Sequence, residues 1–188
     1  MSTPRAVVVN LHELEEATHV HGEGWASFER RLTPKGASLG VNLCRVPPRR
    51  SGCPCHAHQL EAEVFIVQSG RGVLRYGDEL RALAPGDCVY CPAGTGIGHQ
   101  LANPFDEDFV YLAIGPRDPN EVCTYPDTGK VMVRSLGQHG RLAAAPYYEG
   151  EPEPPKIFAL ADELASRQST AETGLTVEPA GGTSEPPA

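Results

Sequence analysis

The strongest constraint on the fold is a succession of short β-like segments in the middle of the chain. Between residues 38 and 114, such runs recur about every 8–12 residues, separated by turn signals such as Gly-Arg-Gly at 70–72 and Ala-Pro-Gly-Asp at 84–87. No helical periodicity interrupts this stretch, which argues against the alternating strands and helices of a parallel sheet. The sequence therefore predicts an all-β sandwich or barrel.

Predicted strands can be assigned from these runs and from their flanks. They cover residues 6–11, 26–31, 38–46, 63–69, 72–76, 79–83, 87–91, 99–102, 109–114 and 131–134. Two segments have a helical character. Residues 11–18 could form one or two helical turns, and residues 156–167 carry an apolar stripe at i, i+3, i+4 and i+7 spacing, with Ile157 and Leu164 at its ends.

The domain organisation follows from these segments and from changes in composition. We expect N-terminal strands or an extension at 1–37, a barrel core at 38–115, completing strands and a loop at 116–148, a Pro/Glu-rich linker at 149–155, an amphipathic helix at 156–167 and a disordered tail at 168–188. The tail is rich in Ser, Thr, Gly, Pro and Glu, so it has little apolar surface to offset its ordering entropy. The helix either docks on the barrel or is offered to a partner.

Charge and hydropathy exclude several classes of partner. The formal net charge is −8 and the pI is about 5.3, so the chain offers no basic face for nucleic acid or anionic lipid. It has no apolar run long enough to span a membrane and no signal peptide at its start, so we expect a cytoplasmic protein.

The six cysteines are then expected to be reduced thiols rather than a disulfide framework. A Cys₄ zinc site from Cys53, Cys55, Cys88 and Cys91 is the alternative. It is disfavoured because residues 88–91 read as a strand without the turn that a zinc knuckle needs.

A candidate metal site stands out among the polar residues. His56 and His58 lie two apart, so in an extended strand both side chains project to one face. Glu63 follows five residues later and can join them if the chain bends and Glu63 opens the next strand. His99 supplies a third imidazole, directly after a Gly/Pro-rich loop. Three imidazoles and a carboxylate suit one divalent transition metal ion, Fe, Mn, Ni, Co or Zn, with positions left open for water or substrate.

Two longer spacings include these residues. The pattern His-x-His-x₄-Glu-x₆-Gly runs from His56 to Gly70, and the pattern Gly-x₅-Pro-x-Gly, begun at Gly86, is followed by His99 and Asn103 at His-x₃-Asn spacing. The chain resembles the cupin superfamily in both motifs, over about residues 38–114. It departs from the family at Arg50, where a glycine is usual. The loop before His99 is also two residues longer, and Glu61 is a rival to Glu63 that lacks its six-residue gap to Gly70.

The resemblance implies an antiparallel jelly-roll barrel of six to eight strands, with its metal ligands facing the lumen. It also implies a homodimer in which N-terminal strands from residues 6–31 cross over. The stretch at 124–131 resembles a group of small bacterial cupins without a settled activity. Cupins similar to this one include dioxygenases, decarboxylases, lyases and sugar or sugar-phosphate isomerases.

Two functional hypotheses follow for a protein of this kind. The first is a metal-dependent enzyme acting on a small, oxygen-rich metabolite, and the second is a non-catalytic barrel that binds or senses a small molecule. A purely structural metal is a third, weaker reading, because the ligand set is open. No proton-transfer residue stands out: Tyr76, Tyr90 and Tyr111 fit barrel packing, while Arg45 could meet a carboxylate or phosphate only if it faces inward.

Overall fold

The structure is a computed structural model that describes residues 6–173. The chain divides into two compact units, Met1–Leu142 and Ala143–Ala188. Among the described residues, the first unit contains fourteen strands. They are β1 Ala17–His21, β2 Trp25–Arg31, β3 Leu39–Val46, β4 Arg50–Ser51, β5 Ala57–His58, β6 Glu63–Ser69, β7 Gly72–Tyr76, β8 Glu79–Leu83, β9 Cys88–Cys91, β10 His99–Asn103, β11 Phe109–Pro116, β12 Val122–Tyr125, β13 Lys130–Val133 and β14 Gln138–Gly140.

These strands form two sheets. The larger, ten-stranded sheet has the order β8-β7-β10-β4-β2-β3-β11-β6-β9, with β1 paired to β2, and the smaller has the order β14-β13-β12-β5. All pairs are antiparallel except the short contact between β2 and β4. The strands make a curled, jelly-roll-like barrel, which confirms the predicted fold class.

The barrel core follows from the alternation of side chains along its strands. On β3, Cys44 and Val46 are buried, so Arg45 between them faces outward. Its guanidinium binds Glu16 at 3.0 Å and Asp108 at 3.3 Å. The possibility that Arg45 meets a ligand inside the barrel is therefore wrong. The core cluster comprises Cys44, Val46, Phe65, Val67, Leu74, Leu83, Cys91, Leu101, Phe109 and Tyr111.

The N-terminal predictions are wrong in two places. Residues 6–10 form no strand, because they pair with no strand among the described residues and Val8 is 92% exposed. Residues 11–14 form an isolated turn rather than a helix, since the Asn10 side chain accepts the His12 N–H and competes with helical bonding. The chain becomes regular again at β1, which pairs with β2 through a tight turn.

The second unit contains the helix α1, Lys156–Thr173. It extends beyond the predicted end at residue 167, because no glycine or proline occurs before Gly174 to end it. Residues 168–173 are thus helical, and the predicted disordered tail from 174 to 188 lies outside the described residues. No helix in the described part of the chain is long and apolar enough to cross a membrane.

Candidate metal centre

The four predicted metal ligands are brought together by three neighbouring strand segments. His56 and His99 are paired through their backbones, with N–H to O distances of 3.1 and 2.8 Å. His58 lies on β5, and Glu63 is the first residue of β6, as the predicted bend requires. One possible ligand atom from each of the four side chains lies within 4.8 Å of the other three.

The three imidazoles converge on a single carboxylate oxygen. From Glu63 Oε2, the Nε2 atom of His99 lies at 2.8 Å, that of His58 at 3.2 Å and that of His56 at 3.8 Å. The other ring nitrogens of two histidines have separate partners. His56 Nδ1 contacts the Pro54 carbonyl at 2.9 Å, and His58 Nδ1 contacts the sulfur of Cys123 at 3.2 Å. Such Nδ1 contacts direct the Nε2 lone pairs toward one point.

The bend between β5 and β6 is stabilised by Glu121, which is fully buried. Its carboxylate accepts the backbone N–H groups of Gln59 at 2.7 Å and Leu60 at 2.9 Å, and lies 3.5 Å from His58 Nδ1. Cys123 reaches the same histidine because β12 pairs with β5. Neither residue could be assigned to the site from the sequence, since both lie more than sixty positions from His58.

The rival carboxylate, Glu61, serves a different role. It is buried and receives two hydrogen bonds from the Arg134 guanidinium, one of them at 2.8 Å, and one from the backbone of Asp118. Glu63, by contrast, faces the three histidines. The structure therefore places Glu63, and not Glu61, in the ligand group.

The charge states of the group follow from burial and contact. Burial disfavours the charged form of Glu63, but the neighbouring imidazoles of His56, His58 and His99 outweigh it and hold the pKa of the carboxyl well below its usual range. Burial also opposes protonation of His56 and His58, yet neighbouring thiols and Glu63 raise the pKa of both. Burial lowers the pKa of His99, which favours its neutral, metal-binding form.

The donor set fits a metal ion. His58 Nε2 is buried and makes no hydrogen bond to any described residue, although it points at Glu63. A buried nitrogen without a partner is costly unless a proton donor or a cation satisfies it. Three imidazole nitrogens and one carboxylate are ligands that first-row divalent ions prefer. The group could therefore bind a metal ion.

The alternative Cys₄ site is not formed. All six cysteines are free, and Cys88 is exposed whereas Cys55 and Cys91 are buried. Within residues 6–173, the side-chain groups that could hold a metal ion include Cys123, with His58 and Glu121, but none of the cysteines at 53, 55, 88 and 91. Because Cys123 and Glu121 contact His58 through Nδ1, they orient that imidazole rather than form a separate centre.

A cavity of about 190 Å³ adjoins the candidate centre. Its lining includes the small residues Gly40, Ala113 and Gly115 and the two arginines Arg117 and Arg134. The residues that bear on the chemistry are Gly40, Asn42, His58, Glu63, Arg117 and Arg134. A small molecule in this cavity would contact the centre directly.

Comparisons with known proteins bear on the fold of the central segment. Residues 42–115 match the cupin domain family. A sugar phosphate isomerase of the cupin superfamily from Silicibacter pomeroyi is 28% identical and has a TM-score of 0.65, with 74% of this chain and 96% of that chain covered. A candidate sugar phosphate isomerase from Acidithiobacillus ferrooxidans is 26% identical and has a TM-score of 0.62, with coverage of 71% and 92%.

A predicted oxalate decarboxylase from Thermotoga maritima shares the fold at 22% identity and a TM-score of 0.52, with 58% of this chain and 98% of that chain covered. Among curated proteins, none matches the sequence significantly. Residues 42–115 therefore form a cupin domain, in agreement with the jelly-roll topology and with the two sequence motifs in this segment.

Proposed function

We propose that this protein is a metal-dependent enzyme that acts on a small, oxygen-rich metabolite. The observation that carries the proposal is the convergence of three imidazole nitrogens on Glu63 Oε2 at the wall of a cavity. A closed structural site would use every ligand position internally, whereas this group opens on space for a ligand. A bound divalent ion would polarise a carbonyl or hydroxyl oxygen of that ligand.

The protein supplies the geometry for this chemistry. His56 and His99 are held by backbone pairing, and His58 is held through Nδ1 by Cys123, so the imidazoles need little reorganisation when a ligand enters. Gly115 keeps the wall beside Glu63 open, since a Cβ atom there would lie 3.4 Å from Glu63 Cγ and 3.1 Å from the Ala62 carbonyl oxygen.

Among the reactions open to such a site, we favour isomerisation of a sugar phosphate over dioxygenation and over decarboxylation or another lyase reaction. The two sugar phosphate isomerase structures align with this chain over more than nine-tenths of their own length, with TM-scores above 0.6. The cavity is also smaller than the roughly 300–1,000 Å³ that drug-sized ligands need, which fits a substrate of a few carbons.

A non-catalytic binding barrel is the second candidate. One observation favours it: among the described residues that line the cavity, Glu61 is paired with Arg134, so no free general base stands outside the ligand group. Such a protein would bind the same ligands without converting them.

The test is metal-dependent turnover by untagged protein. The protein would be stripped with a chelator, reloaded in turn with Fe²⁺, Mn²⁺, Ni²⁺, Co²⁺ or Zn²⁺, and incubated with triose, pentose and hexose phosphates under NMR observation. Oxygen uptake with diketones, thiols and aromatic acids would detect an oxygenase. We expect turnover that needs the metal and falls by at least about 100-fold in Glu63→Gln. The control His12→Ala changes an exposed histidine and should leave turnover intact.

Tight binding of these ligands without any conversion would favour the second candidate. Equal turnover by the stripped and reloaded protein would contradict both the metal centre and the enzyme that we propose.

A further inference from the structure

One guanidinium in the cavity is not used by the fold. Arg134 lines the cavity, but it is occupied by Glu61 and by the Asp118 carbonyl. Arg117 lines the same cavity, and its side chain makes no ion pair or hydrogen bond with any residue in the described range 6–173. A half-buried arginine without a partner at a cavity wall is available to a ligand.

The absence of a side chain at Gly40 leaves room for the Arg117 side chain. The guanidinium lies over Gly40 on β3, where a Cβ atom would come within 2.6 Å of Arg117 Nε. Any other residue at position 40 would push the side chain away from its present position. Gly40 therefore permits the placement of Arg117 against the strand.

A second polar group in the cavity also lacks a partner. Asn42, two residues along β3 from Gly40, lines the cavity, and its side-chain oxygen is buried without a hydrogen bond to any described residue. Buried polar atoms of this kind need a partner. A ligand hydroxyl next to the anionic group would supply one.

The charged residues that line the cavity favour a ligand of negative charge. The carboxylates of Glu61 and Glu63 are cancelled by the guanidiniums of Arg117 and Arg134. A divalent ion on the histidines would leave two positive charges on the walls. An anionic ligand is therefore favoured over a neutral or cationic one.

We infer that Arg117, admitted by Gly40, binds the anionic group of the substrate, a phosphoryl or carboxylate group, beside the metal centre while Asn42 accepts a hydrogen bond from a substrate hydroxyl. This inference rests on the proposed function and narrows its substrate class to hydroxylated anions. Arginine suits the role because its planar fork binds two oxygens of a phosphate or carboxylate at once.

The experiment is isothermal titration calorimetry of the full chain with two probes, inorganic phosphate and malonate, in the Mn²⁺-loaded and metal-free states. The test variants are Arg117→Met, Arg117→Lys and Gly40→Ala. The control is Arg71→Met, which removes an exposed guanidinium paired with Glu107, just beyond the end of β6 opposite Glu63. Metal content is measured on every variant.

We expect wild type and Arg71→Met to bind a probe with equal Kd, and Arg117→Met to bind it about 10- to 100-fold more weakly with unchanged metal content. Arg117→Lys should be intermediate, because it keeps the charge and loses the fork. Gly40→Ala should also weaken binding although Arg117 is still present. It carries the test if Arg117→Met does not fold. Preference for phosphate or for malonate identifies which anion the site takes.

Equal affinities in Arg117→Met and Arg71→Met, or no binding of either probe by wild type, would overturn the inference. The proposed function fails separately, if wild type takes up no metal. Phosphate binding that still depends on Arg117 in the metal-free protein would then support the anion site alone.

Discussion

At the scale of single residues, one buried thiol and two buried carboxylates surround the Nδ1 atom of His58. Cys123 and Glu121 lie 3.2 and 3.5 Å from His58 Nδ1, and Glu61 lies 3.8 Å from the same atom. Glu121 and Glu61 are each bound to other groups, which leaves the Cys123 sulfur as the nearest partner of the imidazole. The orientation of His58 therefore depends mainly on Cys123 and Glu121, neither of which lines the cavity.

The first prediction concerns Cys123. In Cys123→Ala the imidazole of His58 loses its nearest Nδ1 partner, so we expect the affinity for the preferred divalent ion to fall about 10- to 100-fold. The affinity can be measured by competition with a metal indicator dye. Cys44→Ala is the matched control, since Cys44 is buried to a similar degree but belongs to the hydrophobic core and contacts Tyr111 rather than His58. Equal losses in both variants would show that the effect is general core damage.

The second prediction distinguishes the structural role of Glu61 from the metal-binding role that we propose for Glu63. Glu61→Gln leaves Arg134 without its buried partner, and we expect it to lower the free energy of unfolding by about 2–4 kcal/mol, less than for a fully buried pair because Arg134 is partly exposed. The Glu61→Gln variant should still bind the metal ion. Glu63→Gln should lose the metal and retain the fold. Urea unfolding followed by the fluorescence of the single tryptophan, together with metal analysis, checks both. The reverse assignment of effects would contradict the site geometry.

At the scale of elements, the turn between β6 and β7 depends on a glycine. Gly70 has a φ of +71°, and a Cβ atom there would overlap the Asp108 carbonyl oxygen on the segment before β11. A side chain at this position would meet both backbone strain and a steric clash. The spacing from Glu63 to Gly70 thus connects a candidate metal ligand with the turn that ends its strand.

The third prediction compares Gly70 with Gly86, a turn glycine that has free space around it. Gly70→Ala should lower the free energy of unfolding by about 3–5 kcal/mol. Gly86→Ala is the control, because Gly86 also has a positive φ, +94°, but has nothing within 4 Å of a built Cβ. It should cost only the conformational penalty of about 1–2 kcal/mol. Similar losses in the two variants would rule out the clash with Asp108.

The fourth prediction concerns pH and the contact between the two sheets. The Asp127 carboxylate, after β12, binds the Arg75 guanidinium of β7 through two hydrogen bonds of 2.8 and 2.9 Å. The hydrogen bond from Arg75 lowers the pKa of Asp127 below its ordinary value of 3.8. A carboxyl with a lowered pKa stabilises the fold above its unfolded value, and this contribution disappears as the pH falls through the folded pKa.

The Tm of Asp127→Asn should therefore lie below that of wild type at pH 7, and the difference should shrink as the pH falls below about 4. Thermal unfolding between pH 7 and pH 3 measures it. Glu23→Gln, a change at an exposed site in the turn before β2, is the control. A Tm difference that stays constant over this range would show that Asp127 acts through shape rather than charge.

The elements that sequence analysis predicted best are those with clear alternation and glycine-marked ends. β6, β7 and β8 begin and end at the predicted residues, because each is five to seven residues long and bounded by a turn. The two-residue strand β4 was missed, since two residues carry no periodicity, and β5 was anticipated only as the extended segment that carries His56 and His58. β1 was missed for another reason: the acidic residues before it suggested a helical turn, and pairing with β2 decides its structure.

At the scale of the whole molecule, some residues of the site can be predicted from their spacing in the chain, whereas others are brought there only by tertiary structure. His56, His58, Glu63 and His99 could be found because their spacing in the chain reflects strand geometry and a known pattern. Glu121, Cys123 and Arg117 could not, because only the pairing of distant strands brings them to the centre. Arg45 was weighed as a ligand-binding arginine, but the register of β3 turns it outward.

The fifth prediction is the assembly of the protein. We propose a homodimer, because β1, the first strand of the described chain, is exposed at all five of its positions. Sedimentation equilibrium should then give about twice the mass of one 20.1 kDa chain. Val20→Asp, which places a charge on the exposed face of β1, should shift the protein toward monomer, because we place β1 in the interface. A mass of one chain at high concentration would contradict the dimer.

The central claim is that these four side chains hold one metal ion. The measurement that tests it most directly is the metal-to-protein ratio, by plasma mass spectrometry, of protein purified without a histidine tag. We predict about one divalent transition metal ion per chain in wild type and in the exposed-site control His12→Ala, and a large loss in both His56→Ala and His99→Ala. A full metal load in both of those variants would contradict the site.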